Sequence, residues 1–199
     1  MPVAITNTKL LLGEGKDEVR FFNALLVHLG IADIQVTDYG GKTQLKDYLK
    51  ALAKTPGFVG LASLAITRDS DTDVAAAFAS VSGALANVGL SVSSHGRFTG
   101  NNPQVGVWML PDGATPGMLE DLCMASVQTD LAVSCVEEYF QCVRQRAGRQ
   151  PNNASKARLH VWLASQTEPD KRLGEAAEKG YWPWDAVAFQ PLIHFLQSL

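Results

Sequence analysis

Residues 8 to 13 form a short apolar run ending in glycine. From Lys16 the spacing changes, and Val19, Phe22, Leu25, Leu26 and Leu29 recur at offsets of three and four until Gly30. This predicts a buried strand turning into an amphipathic helix. "IADIQVTDYGG" predicts a second strand closed by a glycine pair, and "TQLKDYLKALAK" a helix with Leu45, Tyr48, Leu49 and Leu52 on one side, stopped at Pro56-Gly57. "FVGLASLAITRDSDTD" is apolar for about ten residues before it turns acidic, which suits a strand buried on both faces. A helix carrying Val74, Phe78, Val81, Leu85 and Val88 follows. "QVGVWMLPDG" predicts a fourth strand, and "PGMLEDLCMAS" a helix opening at Pro116, where a missing N–H costs nothing.

Strands alternating with helices of this length predict an α/β fold, an open parallel sheet of about four strands sandwiched by helices and joined by right-handed crossovers. After residue 128 the pattern is helical, with segments at 129 to 146, 155 to 165 and 191 to 199 joined by polar connections. The expected organisation is an α/β domain over 1 to 128 and a helical C-terminal extension over 129 to 199 packed on it.

Composition fits such a fold. Hydrophobic residues make up 46% and charged residues 19% of the 199, the balance of a chain that folds around its own core. The net charge of -3 excludes a global basic field, so any contact with nucleic acid must be local. The N-terminus lacks a basic segment followed by an apolar stretch, and no apolar run reaches the roughly 18 residues that span a bilayer. A cytoplasmic protein without membrane contact is expected. The three cysteines lack metal or redox spacing. Cys135 and Cys142, seven residues apart, are expected as small buried residues on one helix face.

Two glycine-lysine stretches imitate phosphate loops, "GEGK" at 13 to 16 and "GGKT" at 40 to 43. Both fail on spacing. A Walker loop needs a glycine five residues before the one preceding lysine, where this chain has Leu10 and Val36. The dinucleotide fingerprint fails as well, because no third glycine follows Gly15.

The acids are better placed. Glu14 follows the first strand, Asp69, Asp71 and Asp73 the third, and Glu120 lies in the first turn of the helix after the fourth. In a parallel sheet these positions share the edge where ligands bind. If the chain stays extended through "DSD", its two aspartates project to one side and can share a divalent ion. Magnesium suits one or two carboxylates plus waters and phosphate oxygens. Taken singly the acids have plainer roles: Asp73 before "VAAAF" fits a helix cap, and Glu18 suits the positive end of a helix dipole.

"LLLGEGKDE" before a helix, with "ITRDSDTD" after a hydrophobic strand, resembles a Toprim domain, the metal-binding module of topoisomerases, bacterial primases, OLD-type nucleases and recombination mediators. The resemblance covers roughly residues 6 to 126 and implies a Toprim/Rossmann-like sheet. In that family a glutamate ends the first strand and an Asp-x-Asp pair the third, which fall on Glu14 and on Asp69 with Asp71. Glu14, Gly15 and Glu18, the glycine pair Gly40 and Gly41, and Leu119 with Glu120 are closest to OLD nucleases and small stand-alone Toprim proteins. "WMLPDGATPGMLEDL" and "VWLASQTEPDKRLGEAAEKGYWPWD" resemble the stand-alone group.

The resemblance implies magnesium, or manganese, held by Glu14, Asp69 and Asp71 with Glu18, Asp73 and Glu120 in reserve, acting on phosphodiester bonds of DNA or RNA. It also implies that Glu14 is the general acid or base. A nuclease needs a basic group near the developing phosphorane charge, and Lys42, Arg68 and Lys16 are candidates by position. OLD nucleases carry an ABC-type ATPase, and these residues hold no Walker motif, so an ATPase partner would be a separate one. The rival expectation is a non-catalytic Toprim module binding a protein or nucleotide. Two further features have alternatives: the tryptophans of "GYWPWD" can stack on bases or anchor the last helix, and His95 near Arg97 can contact substrate or close a polar loop.

Overall fold

The computed structural model describes residues 4–199. Strands β1 (Lys9–Gly13), β2 (Ile34–Asp38), β3 (Ser63–Asp69), β4 (Phe98–Thr99) and β5 (Gln104–Leu110) form one sheet in the order β2-β1-β3-β5-β4. All neighbours are parallel except β4, which runs antiparallel to β5. The fold is therefore the expected Rossmann-like α/β sandwich. The two-residue edge strand β4 is an addition, too short to show any alternation in sequence.

Alternation across the buried strands builds two cores. Leu11, Ala65, Trp108 and Leu110 face one side of the sheet, and Leu10, Leu12, Leu64, Ile66, Val105, Val107 and Met109 the other. The second side is covered by α2 (Leu45–Leu52) and α3 (Val74–Ala86) through Leu45, Leu49, Leu52, Val81 and Leu85. The first is covered by α1 (Lys16–His28), α4 (Leu119–Ser126) and the C-terminal segment. The chain leaves β1 toward β2 over one face and returns from β2 to β3 over the other, as right-handed crossovers in opposite directions require.

The C-terminal segment holds α5 (Ala132–Ala147), α6 (Ala154–Ala164), α7 (Leu173–Glu178) and α8 (Gln190–Gln197). It shares a core with the sheet: Phe21 lies 5.2 Å from Trp184 and 5.9 Å from Phe189, edge-on and tilted respectively. Trp182 stacks on Trp162 at 5.0 Å and its Nε1 donates to the Leu173 carbonyl. Both tryptophans of "GYWPWD" are thus buried anchors, each contributing on the order of 2–3 kcal/mol by burial.

Two findings differ from the sequence reading. A short helix, α7, occupies a stretch that carries too few apolar repeats to signal one. Cys135 and Cys142 are exposed, and only Cys123 is buried. Helix α5 buries a narrow stripe centred on Val136, so the face bearing Leu131, Cys135, Tyr139 and Cys142 looks outward. Among the described residues, no helix is long and apolar enough to cross a membrane.

Candidate functional site

The strand order reverses between β1 and β3, at whose carboxyl ends ligands bind in open α/β sheets. Glu14 leaves β1 at this point and Asp69 is the last residue of β3. Glu18 comes in from the first turn of α1. Its Oε2 accepts from the Gly15 N–H at 3.0 Å, tying the turn together. This turn sits tightly on the strand end: a Cβ at Gly13 would stand 2.8 Å from that of Glu18, closer than side chains approach. The Gly41 N–H donates to the Glu14 carbonyl at 2.9 Å, pinning the β2 loop beside it.

Asp69 and α4 meet directly. The Leu119 N–H donates to Asp69 Oδ1 at 3.0 Å, which joins the end of β3 to the helix whose first turn carries Glu120. Burial, then Glu18, Glu120 and Glu14, push the Asp69 carboxyl up to about 8. Burial raises Glu18 as well, with Glu14 and Glu120 adding to it. Glu120 is raised by burial against the pull of Lys156, whose Nζ lies 3.8 Å from Glu120 Oε1. Burial thus holds Glu18, Asp69 and Glu120 toward their protonated forms, and the charge of Glu14 adds to this at Glu18 and Asp69.

The other acids are placed differently. The strand ends at Asp69, so the extended "DSD" the sequence reading required is not formed. Asp71 adopts φ 49°, in the left-handed region, and its N–H donates to the Gly117 carbonyl at 2.9 Å. Its side chain pairs with Lys42 at 3.0 Å. Asp73 caps α3, accepting from the Ala76 N–H at 2.9 Å.

Arg68 is buried on the opposite side of β3 from Asp69, its Nε 3.6 Å from Glu14 Oε2. That contact is an ion pair without hydrogen-bond geometry. Among the described residues, Arg68 Nε, Arg68 Nη1 and Glu14 Oε2 are buried without hydrogen-bond partners. Such orphans are costly unless a ligand satisfies them. Beneath them the Tyr39 hydroxyl donates to the Thr67 carbonyl at 3.1 Å, and burial followed by Glu14 holds its proton on.

The donor set of hard carboxylate oxygens suits magnesium or manganese. Among the described residues, however, no three histidine, cysteine or acidic side chains converge closely enough to hold an ion as they stand. Lys156 and Tyr39 escaped the sequence reading because only the packing of α6 and β2 brings them here. His95 ties its loop to β5: its Nδ1 accepts from the Met109 N–H at 2.9 Å and its ring lies 4.4 Å from Trp108.

No curated protein and no solved structure matches the chain. A family model does, over residues 8–199, which takes in the acidic edge and the C-terminal helices alike. The chain belongs to the family described as "Protein of unknown function (DUF3226)".

Proposed function

We propose that this is a Toprim-type enzyme, a metal-dependent nuclease acting on the phosphodiester bonds of DNA or RNA. The observation that carries the reading is the placing of Glu14, Glu18, Asp69 and Glu120 at the carboxyl ends of β1 and β3, with burial raising Glu18, Asp69 and Glu120 and neighbouring carboxylates adding to it at Glu18 and Asp69. Carboxylates crowded in this way are held together against their own charge, and a cation relieves the conflict. Asp69, Glu14, Glu18 and Glu120 would hold magnesium or manganese, with Asp71 and Asp73 adjoining. Bound there, the ion supplies Lewis-acid polarisation of a phosphoryl oxygen and a water of lowered pKa.

The chain's own residues do the rest. Glu14, with one buried oxygen lacking a partner, takes or returns the proton of the attacking water. Arg68, beside Glu14, and Lys42, paired with Asp71, neutralise the negative charge of the phosphates drawn to this edge. No residue here supplies a Walker motif, and we assign any ATP hydrolysis to a separate partner.

A second reading has its own support: Asp71 is engaged by Lys42, and among the described residues no three acids converge closely enough to hold an ion as they stand, which suits a binding module that has kept the fold. Cleavage of plasmid and single-stranded DNA with magnesium or manganese decides between them. Wild type is expected to cut, and Asp69→Ala and Glu14→Ala to lose at least about 100-fold in rate. Binding without cutting by wild type, or equal cutting by the variants, would sink the nuclease reading.

A further inference from the structure

On the α2 and α3 side of β3 lies a groove of about 590 Å³, lined by Lys42, Thr43, Lys46, Arg68, Ser80 and Asn87 among others. Among the described residues, no carboxylate lines it. Arg68 is 7% exposed, and its Nε and Nη1 have no hydrogen-bond partner among the described residues. A guanidinium stays charged at any ordinary pH and presents its donors in a fixed fork suited to phosphate. Lys46 pairs with no acid among the described residues, and the one ion pair of Lys42, to Asp71, leaves two of its three donors unused. The hydroxyls of Thr43 and Ser80 add to this wall of donors, while the Asn87 amide donates to the Gly83 carbonyl. These are the partners of an oxyanion and not of a cation.

Arg68 also touches Glu14, so the groove and the acidic edge share a wall. Asp69 and Arg68, consecutive on β3, point to opposite faces of the sheet. A ligand with one phosphate can fill one of the two sites. A ligand with phosphates in series can fill both.

We propose that this groove is a phosphate subsite for a polynucleotide strand, holding a phosphate next to the one presented to the acidic edge. The inference deepens the nuclease reading and rests on it for the identity of the strand. It selects a polynucleotide over a mononucleotide as substrate.

The test uses the full chain with calcium in place of magnesium and a fluorescein-labelled single-stranded DNA 12-mer, followed by anisotropy over a range of salt. Lys46→Ala and Lys42→Ala are each expected to weaken binding about 3- to 10-fold at low salt. Each should also reduce the slope of log K against log salt by about 0.7, the value for one phosphate contact on a single strand. Arg68→Lys, which keeps the charge and loses the fork, should weaken it too. The two lysines are exposed, so their variants inform even if the arginine variant misfolds. Lysine variants that bind like wild type overturn the subsite. So does inorganic phosphate that competes as well as the 12-mer at equal phosphate concentration.

Manganese titration of wild type and Asp69→Ala separates the two readings. Manganese binding without any effect of Lys46→Ala removes the groove alone. Lysine-dependent binding of the 12-mer without manganese binding removes the nuclease reading and leaves the groove.

Discussion

Asp69 makes stability depend on pH in an unusual direction. Its carboxyl titrates near 8 in the folded chain and near 3.8 when exposed, so between those values the native state holds more protons than the unfolded one. Stability contributed by the protonated form is complete below about pH 4 and is lost as pH rises through 8. Glu18 and Glu120 are shifted in the same direction. The metal-free protein is therefore expected to melt at lower temperature at pH 8 than at pH 5. Asp69→Asn, which keeps an oxygen for the Leu119 N–H, should flatten that dependence. It should also raise the melting temperature at pH 8, by roughly 2–4 °C for each kcal/mol relieved. Magnesium should stabilise wild type more at pH 8 than at pH 5, because the ligands must be ionised. An unchanged slope in the variant would show that Asp69 is not the group that titrates. At this scale the sequence located Glu14, Asp69 and Glu120, because position relative to a strand end follows from the hydrophobic pattern. It did not locate the turn of Asp71, which is decided by a hydrogen bond to Gly117, nor Lys156, which reaches Glu120 from another helix.

Among the elements, the contact between α1 and α7 has little slack. A Cβ on Gly174 would lie 2.7 Å from the Arg20 Cβ and 2.8 Å from the Asp17 carbonyl oxygen. Arg20 closes the same contact through Glu175 at 2.7 Å and Glu178 at 3.7 Å. Gly174→Ala is expected to push the helices apart and cost about 1–3 kcal/mol, checked by chemical denaturation. Because α1 also carries Glu18, the same variant should weaken any metal-dependent stabilisation. A variant as stable as wild type would mean that the two helices separate without resistance. Strands β1, β2, β3 and β5 and helices α1 to α4 were readable because each buries a regular stripe. Helix α7 was not, since six residues give no period and its place is fixed by one glycine against a distant helix.

For the molecule as a whole, the three layers followed from the alternation of strands and helices, but the share of the C-terminal helices in the core did not. Their aromatics meet α1 across more than a hundred residues of sequence, and no local pattern encodes that meeting. The outward face of α5 was misread for the same reason, since a seven-residue spacing fixes a face without saying what covers it. A thiol reagent on the native protein should label Cys135 and Cys142 quickly and Cys123 only on unfolding, in a two-to-one ratio. Rapid labelling of all three would show that α4 opens readily.

The pairing of Phe21 with Trp184 and Phe189 also bears on how the chain is made. Helix α1 leaves the ribosome before the residues that cover it, which are translated after β1 to β5. Until then Phe21, Phe22 and Trp108 lack their cover, and a nascent chain stalled before α7 presents an aromatic surface to other chains. A chain truncated before α7 is therefore expected to associate through this surface, which the full chain buries under α7 and α8.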